Sequence, residues 1–429
     1  MTAEIAIMSR TAVVLAADSA TTVTTWKNGK AEKRYFKGAN KLYELSRGGP
    51  VGLMIYGSAD LQIVPWELYI KSFRESLARE QFDRLQTYSE KFFDFVQHND
   101  RLFSKESKNE TLIGYLAAAA YRLQLMIAEH LGENELDDLE SKSLAEIEEA
   151  LAKTEADVEE LELPDLLTAA DIANAASETA ADLKEVAPQI TEIFIQDENR
   201  AHLAPRFVDA LIKFAVKQFL EFAPVTGVVI AGYGKEEYFP VLEVYDCYGF
   251  LGERLIFQKN EQDSRVMDAS SSAAIRPFAT THMIDTFRTG MSDDMFRAVH
   301  QSSWGALKEM ASRVMEECGV DDPLPQKRLN EIVKEISDSH TDQWHQQIRT
   351  QHVFPLSNVI NSLPLPDMAG LARSLIELES LKERVTRPSE SVSGPIDVAV
   401  ISKHDGFVWI DRKHYFKPEL NPRFFKRAE

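Results

Sequence analysis

The chain opens on two short apolar runs, residues 5–8 and 12–17, separated by the polar break Ser9-Arg10-Thr11. Runs this short, divided this way, predict a hairpin of buried strands. The β-rich segments 21–25 and 31–37 flank Asn28-Gly29, a dipeptide that accepts the positive φ values of a tight hairpin turn. Strands are expected again at 40–46 and 51–56, the second ending at Gly57. The first 57 residues therefore read as an antiparallel meander.

The period then changes. From Pro65, a residue suited to a first helical turn, Trp66, Leu68, Tyr69, Ile70, Phe73 and Leu77 recur at helical spacing. A second helix is expected at about 111–131, apolar over most of its circumference and so buried. Residues 133–165 form an acidic stretch, with 14 acidic side chains against two lysines. Within it Leu144, Leu151 and Val158 fall seven apart, which predicts a helix with a heptad-like stripe. It reads as half of a solvated helical hairpin, or else as an arm for a basic partner. Helical patterns continue at 168–183 and 206–222.

Strands resume at 225–231 and 239–245, around a Gly232-Tyr-Gly-Lys235 loop. That loop lacks the third glycine and the βαβ setting of a dinucleotide site. Helices are expected at 284–314, 325–336 and 367–384, the last preceded by Pro364 and Pro366. A final hairpin pairs 396–401 with 407–410 around His404-Asp-Gly406. This order fits an α+β fold with two antiparallel sheets between helix layers.

Composition adds limits. The 429 residues are 44% hydrophobic and 27% charged, with a formal net charge of −20. Nucleic acids and anionic membranes are poor partners for that charge. No apolar run of the ~20 residues that span a bilayer stands out, and no secretory leader is recognisable. The expected compartment is the cytoplasm. Cys247 and Cys318 make no disulfide framework. His340, His345 and His352 lack the i, i+4 spacing of a helical metal pair, so neither metal nor cofactor is expected.

The candidate chemistry is at the start. Thr2 follows an initiator Met that aminopeptidases remove when the next side chain is small. Its hydroxyl and a freed α-amine would then share one residue, the arrangement of a nucleophile with a built-in base.

Thr2, the run Thr11-Ala-Val-Val-Leu-Ala-Ala-Asp-Ser19, Asn40-Lys-Leu-Tyr-Glu-Leu-Ser46, Ile55-Tyr-Gly57 and Ser393-Gly-Pro-Ile-Asp-Val-Ala-Val-Ile-Ser-Lys-His-Asp-Gly406 together resemble the proteasome β-subunit family, including its bacterial HslV-type relatives. The resemblance implies an N-terminal-nucleophile hydrolase with a four-layer αββα sandwich. Residues 2–131, 222–290 and 366–416 would form its core. An acidic helical insertion at 132–221, a helical insertion at 291–365 and a tail at 417–429 would be additions.

Carried over, the family implies Thr2 as nucleophile, Lys41 beside it, Asp18 holding Lys41 and the Gly57 N–H as oxyanion donor. Ser393 would be the retained serine of the motif before the last hairpin. Thr22, Ile55 and Ala59 would line the substrate edge. The implied activity is threonine-type peptide-bond hydrolysis on a peptide or protein substrate. A homo-oligomer, in the family a ring, and an ATPase or other protein partner are implied with it. Two alternatives stand beside this: an inactive proteasome-like scaffold or assembly subunit, and an amidase acting on a small amide. The chain departs from the family at 272–279, where the expected serine-glycine motif is absent. It departs again at Glu390 and Pro395, in place of aspartate and glycine, and in a turn at 57–60 one residue short.

Overall fold

Residues 3–8 and 12–17 are apolar in an almost unbroken run because both faces of the strands they form are covered. Strands β1 (Ala3–Met8) and β2 (Ala12–Ala17) are buried at every position. They pair antiparallel with Glu4 opposite Ala17 and Met8 opposite Val13. The Ser9 side chain accepts the Thr11 N–H at 3.3 Å, and the Ser9 N–H reaches Ala12 O at 3.0 Å. The structure, a computed structural model, describes residues 2–27, 30–133, 142–191, 202–271, 273–319, 323–386 and 392–426. Met1, the expected Asn28-Gly29 turn, Ser272 and Glu390 lie outside them.

β3 (Ala20–Lys27) and β4 (Lys30–Lys37) make a separate two-stranded ribbon. β5 (Leu42–Glu44) and β6 (Val51–Gly57) follow, then the small pair β7 (Asp60–Leu61) and β8 (Val64–Pro65). Helix α1 (Trp66–Leu77) buries the expected face of Trp66, Tyr69, Ile70, Phe73 and Leu77. Leu68 stays on the solvent side. Helix α2 (Leu85–Gln97) was not expected, although Leu85, Tyr88, Phe92, Phe93 and Val96 give it an apolar face too.

Helix α3 (Lys105–His130) begins earlier than the pattern indicated, because the Ser104 side chain caps it by accepting the Ser107 N–H at 3.3 Å. Among the described residues it is the one helix long and apolar enough to cross a membrane by length and composition. Its Leu112, Leu116, Leu123 and Ile127 are instead packed against α4 (Leu144–Glu160), α5 (Ala169–Thr191) and α6 (Leu203–Lys217).

The heptad stripe of α4 is part of this packing. Leu151 and Val158 are fully buried and Leu144 partly so. The acidic face of α4 meets basic groups of the same chain. Arg206 and Lys213 of α6 pair with Glu155 and Glu159, and His202 and His130 pair with Glu148 and Asp157. Part of the charge of the acidic stretch is thus answered from within the chain.

After a single turn, α7 (Phe219–Phe222), come β9 (Thr226–Gly232), β10 (Val241–Leu251), β11 (Arg254–Lys259), the short β12 (Arg265–Val266) and β13 (Ala274–Ala279). β10 runs beyond its expected end through a bulge between Cys247 and Gly249, where Gly249 takes φ +96°. β13 contains Pro277, which is tolerated because this strand lies at the sheet edge.

The helix expected at 284–314 is two, α8 (His282–Thr289) and α9 (Asp293–Glu317). Gly290 separates them at φ +85°, its N–H capping Thr286 O at 2.9 Å. α10 (Pro323–Ile348), a π-helical turn Arg349–Val353, α11 (Phe354–Ile360) and α12 (Leu365–Thr386) lead to the closing hairpin of β14 (Asp397–Ser402) and β15 (Gly406–Asp411).

The result is a mixed α+β fold with antiparallel sheets. One sheet has the order β13-β1-β2-β14-β15 and another β11-β10-β9-β6-β5. Alternation sorts each strand between two cores. Ala6, Met8, Val13, Leu15, Ala399 and Ile401 of the first sheet pack with Met54, Val229, Ala231, Leu242 and Val244 of the second. Ile5, Ile7, Val14, Ala16 and Val400 face Met368, Ala372, Leu375 and Ile376 of α12. Leu53, Ile55, Val228 and Ile230 face α1 and α2.

Candidate active site

Thr2 and Glu4 share the parity of Ala6 and Met8, so they lie on the face of β1 turned toward the second sheet. Asp18 is the first residue past β2, Lys41 the last before β5, and Ser393 lies on the approach to β14. Four distant segments therefore meet at one end of the two sheets.

Asp18, 1% exposed, is the hub. Its Oδ1 accepts the Ala3 N–H at 3.1 Å and Lys41 Nζ at 2.5 Å. Its Oδ2 accepts the Ala20 N–H at 3.1 Å and the Ser393 N–H at 3.0 Å. Four donors on one carboxylate offset the cost of burying its charge and fix its orientation. Lys41 Nζ also lies 3.2 Å from Glu4 Oε1. On its other oxygen, Glu4 Oε2 accepts the Thr2 hydroxyl at 3.1 Å. A continuous polar chain thus runs from the Thr2 hydroxyl through Glu4 and Lys41 to Asp18.

Glu4 is wholly buried, and its carboxyl is pushed up to about 7. Burial is the leading cause. Lys41 pulls the other way, Asp18 pushes it further up, and the Thr2 and Lys41 hydrogen bonds restrain it. A carboxyl poised there exchanges a proton near neutral pH, as a general acid or base must. Lys41 lies against two carboxylates, so the three groups carry −1 with Glu4 ionised and zero with it protonated.

Four further hydrogen bonds act on the same segments. The Thr280 N–H donates to Thr2 O at 2.9 Å, and the Asp18 N–H to Ala3 O at 3.1 Å. The Ser19 hydroxyl donates to Pro395 O at 2.5 Å, and the Ser19 N–H reaches Ser393 O at 3.3 Å. Gly394, between them, takes φ +87°, a conformation open to glycine.

Thr2, Asp18, Lys41 and Ser393 are thus brought together, Ser393 through its backbone. Gly57 ends β6 at φ +84°, where a side chain would meet Val225 O at 2.7 Å. Ile55 is oriented away: its side chain packs toward α1 and α2, and only its backbone, whose N–H donates to Lys41 O at 2.9 Å, adjoins the site. Ala59 O accepts the Trp66 N–H at 3.1 Å. The Thr22 hydroxyl on β3 is buried without a hydrogen-bond partner. The structure records no contact of Thr22 or Ala59 with Thr2 among the described residues.

Glu4 is the residue the sequence analysis missed. Its signal was there: one acid inside an apolar strand, two residues from Thr2 and so on the same face. Tyr56 was missed as well. It shares the inter-sheet face, stacks on Phe278 at 5.1 Å, and has its phenol held above the ordinary value by burial and by Asp246, Asp263 and Glu4.

Other sequence candidates have local explanations. Burial pushes the Cys247 thiol up to about 12, which leaves it protonated and unreactive. His345 stacks on Phe296 at 5.1 Å, and His340 lies 6.2 Å from Trp344. No protein-family model matches the chain, and no curated protein matches it in sequence.

Proposed function

We propose that this chain is a hydrolase of the proteasome type, cleaving peptide bonds through Thr2 once Met1 has been removed. The observation that carries the reading is the Asp18 carboxylate, which joins the Ala3 backbone, Lys41 and Ser393 within one residue of the Thr2 hydroxyl. The finer architecture, a four-layer αββα sandwich, is part of the proposal. The three apolar cores, helix to sheet, sheet to sheet and sheet to helix, support it.

In the proposed reaction Thr2 Oγ attacks the substrate carbonyl carbon and its proton passes to the Thr2 α-amine. The C–N bond breaks and the leaving amine takes that proton. Water then hydrolyses the ester and restores the hydroxyl. Lys41 opposes a charged amine by like-charge repulsion while Asp18 and ionised Glu4 favour one, so the neutral base is best supported with Glu4 protonated. Glu4 holds the hydroxyl hydrogen and is a second proton acceptor at the site. The Gly57 N–H is proposed as the oxyanion donor. A peptide or protein substrate, a homo-oligomer and a cytoplasmic setting belong to the same reading.

Intact mass tests the first step: the mature protein should lack Met1. An epoxyketone or β-lactone probe should then add its mass to Thr2, and Thr2→Ala should abolish both labelling and peptide turnover. A retained Met1 sinks the proposal. One observation favours the scaffold reading as the second choice: Thr2 is only 8% exposed and its hydroxyl is already engaged by Glu4. Loss of Met1 without labelling or turnover would establish that reading instead.

A further inference from the structure

A cavity of about 330 Å³ lies against the outer edge of β13, bordered by β12, α8, the π-helical turn and α11. Four arginines line it, Arg265, Arg276, Arg288 and Arg349, and among the described residues no acidic side chain does. The Nε atoms of Arg265, Arg276 and Arg288 are buried without a hydrogen-bond partner. Arg288 reaches Asp285 through Nη2 at 2.8 Å. No carboxylate lies within 4 Å of Arg265, Arg276 or Arg349 among the described residues.

Burial lowers the Arg276 guanidinium first, and Arg288 and Arg265 push in the same direction; Asp263 alone opposes them. Four like charges answered by only Asp285 and Asp263 are costly, although carboxylates are plentiful in a chain of net charge −20. The cavity at Arg373, Arg384, Arg412 and Lys413 is the contrast. There Arg373 pairs with Asp411, Lys413 with Asp397, and Arg412 covers Trp409.

We infer that the cavity at β13 binds a small phosphate monoester, its phosphoryl group held by Arg265, Arg276, Arg288 and Arg349. Guanidinium forks match phosphoryl oxygens in geometry as well as charge. Four arginines less Asp263 and Asp285 leave +2, which a phosphoryl dianion of about −1.5 to −2 neutralises. Val353, Phe354 and Leu356 are also in the lining and offer an apolar wall for the rest of the ester. The volume suits a small molecule, being at the lower end of ligand pockets. Arg349 stands on a π-helical turn, a local irregularity that often marks a functional position. The site is separate from Thr2: Arg276 pairs with Ala6 across β13 and β1, three residues along from the pairing of Ala279 with Ala3.

Isothermal titration calorimetry on the full chain tests this, with phenyl phosphate and inorganic phosphate as probes at constant ionic strength. Both should bind at one site per chain, phenyl phosphate more tightly. Arg349→Gln, at an exposed position that folding does not depend on, should weaken phenyl phosphate at least tenfold, and Arg276→Gln should abolish binding. Arg384→Gln, in the other cavity, where Asp411 and Glu377 stand among the cations, should leave affinity unchanged, as should Thr2→Ala. Absence of saturable binding overturns the inference. So does equal affinity in wild type and Arg349→Gln, or an equal loss in Arg384→Gln. Binding of a phosphoserine peptide in preference to both probes would also overturn it, in favour of a protein partner.

Discussion

Replacing Glu4 by glutamine removes an ionisable group from the buried cluster while keeping an acceptor for the Thr2 hydroxyl. Unfolded, Glu4 titrates near its ordinary 4.5; in the fold it is pushed up to about 7, chiefly by burial. Between those values the folded chain holds a proton that the unfolded chain has released. The associated stability is therefore fully present below 4.5 and is lost as pH rises through about 7. At about 1.4 kcal/mol per pH unit, the rise corresponds to about 3 kcal/mol. Glutamine cannot ionise, so Glu4→Gln should gain on the wild type by up to about 3 kcal/mol between pH 4.5 and pH 8. Urea unfolding of both proteins across that range measures the difference. Titration of carboxylates distant from Glu4 is common to both and cancels. Parallel stability curves would refute the reasoning, because they would mean that Glu4 is already ionised and stabilised in the fold at pH 5.

Three further outcomes follow from the same geometry. Asp18→Ala leaves the Ala3, Ala20 and Ser393 N–H groups unpaired and Lys41 with Glu4 alone, so chemical denaturation should report a loss of about 3–5 kcal/mol. Gly57→Ala, with φ +84° and Val225 O only 2.7 Å from the new methyl, should cost about 1–3 kcal/mol in the same assay. Thr2→Ala removes a single hydrogen bond, so calorimetry should show a change of only about 1 kcal/mol, while probe labelling at residue 2 is lost.

The elements with a strong local pattern were legible in the sequence. β1, β2, β6 and β14 carry near-continuous apolar runs because they are covered on both faces, and such runs do not depend on knowing the neighbour. α1 announced itself by helical spacing, and α12 by the prolines before it. β11 and β13 did not, since one is a half-exposed strand after a bulge and the other an edge strand with a proline. The acidic stretch was legible as a helix but not in its docking, because the bases that answer it lie about 50 residues further along.

By itself the sequence determined the strand faces, and with them that Thr2 and Glu4 project to the same side of β1. It also supplied Asp18 and Lys41 as charges at the ends of apolar strands. Only the tertiary structure decided that Lys41 sits between Asp18 and Glu4, or that Ser393, 375 residues beyond Asp18, completes its hydrogen bonds. The physical reason is that burial and Coulombic fields depend on distance in space. Whether Glu4 is an ordinary acid or a proton exchanger near neutral pH is set by groups that close over it only when the two sheets pack. The four arginines at the β13 edge follow the same logic, each unremarkable in its own segment and significant once the fold gathers them around one cavity.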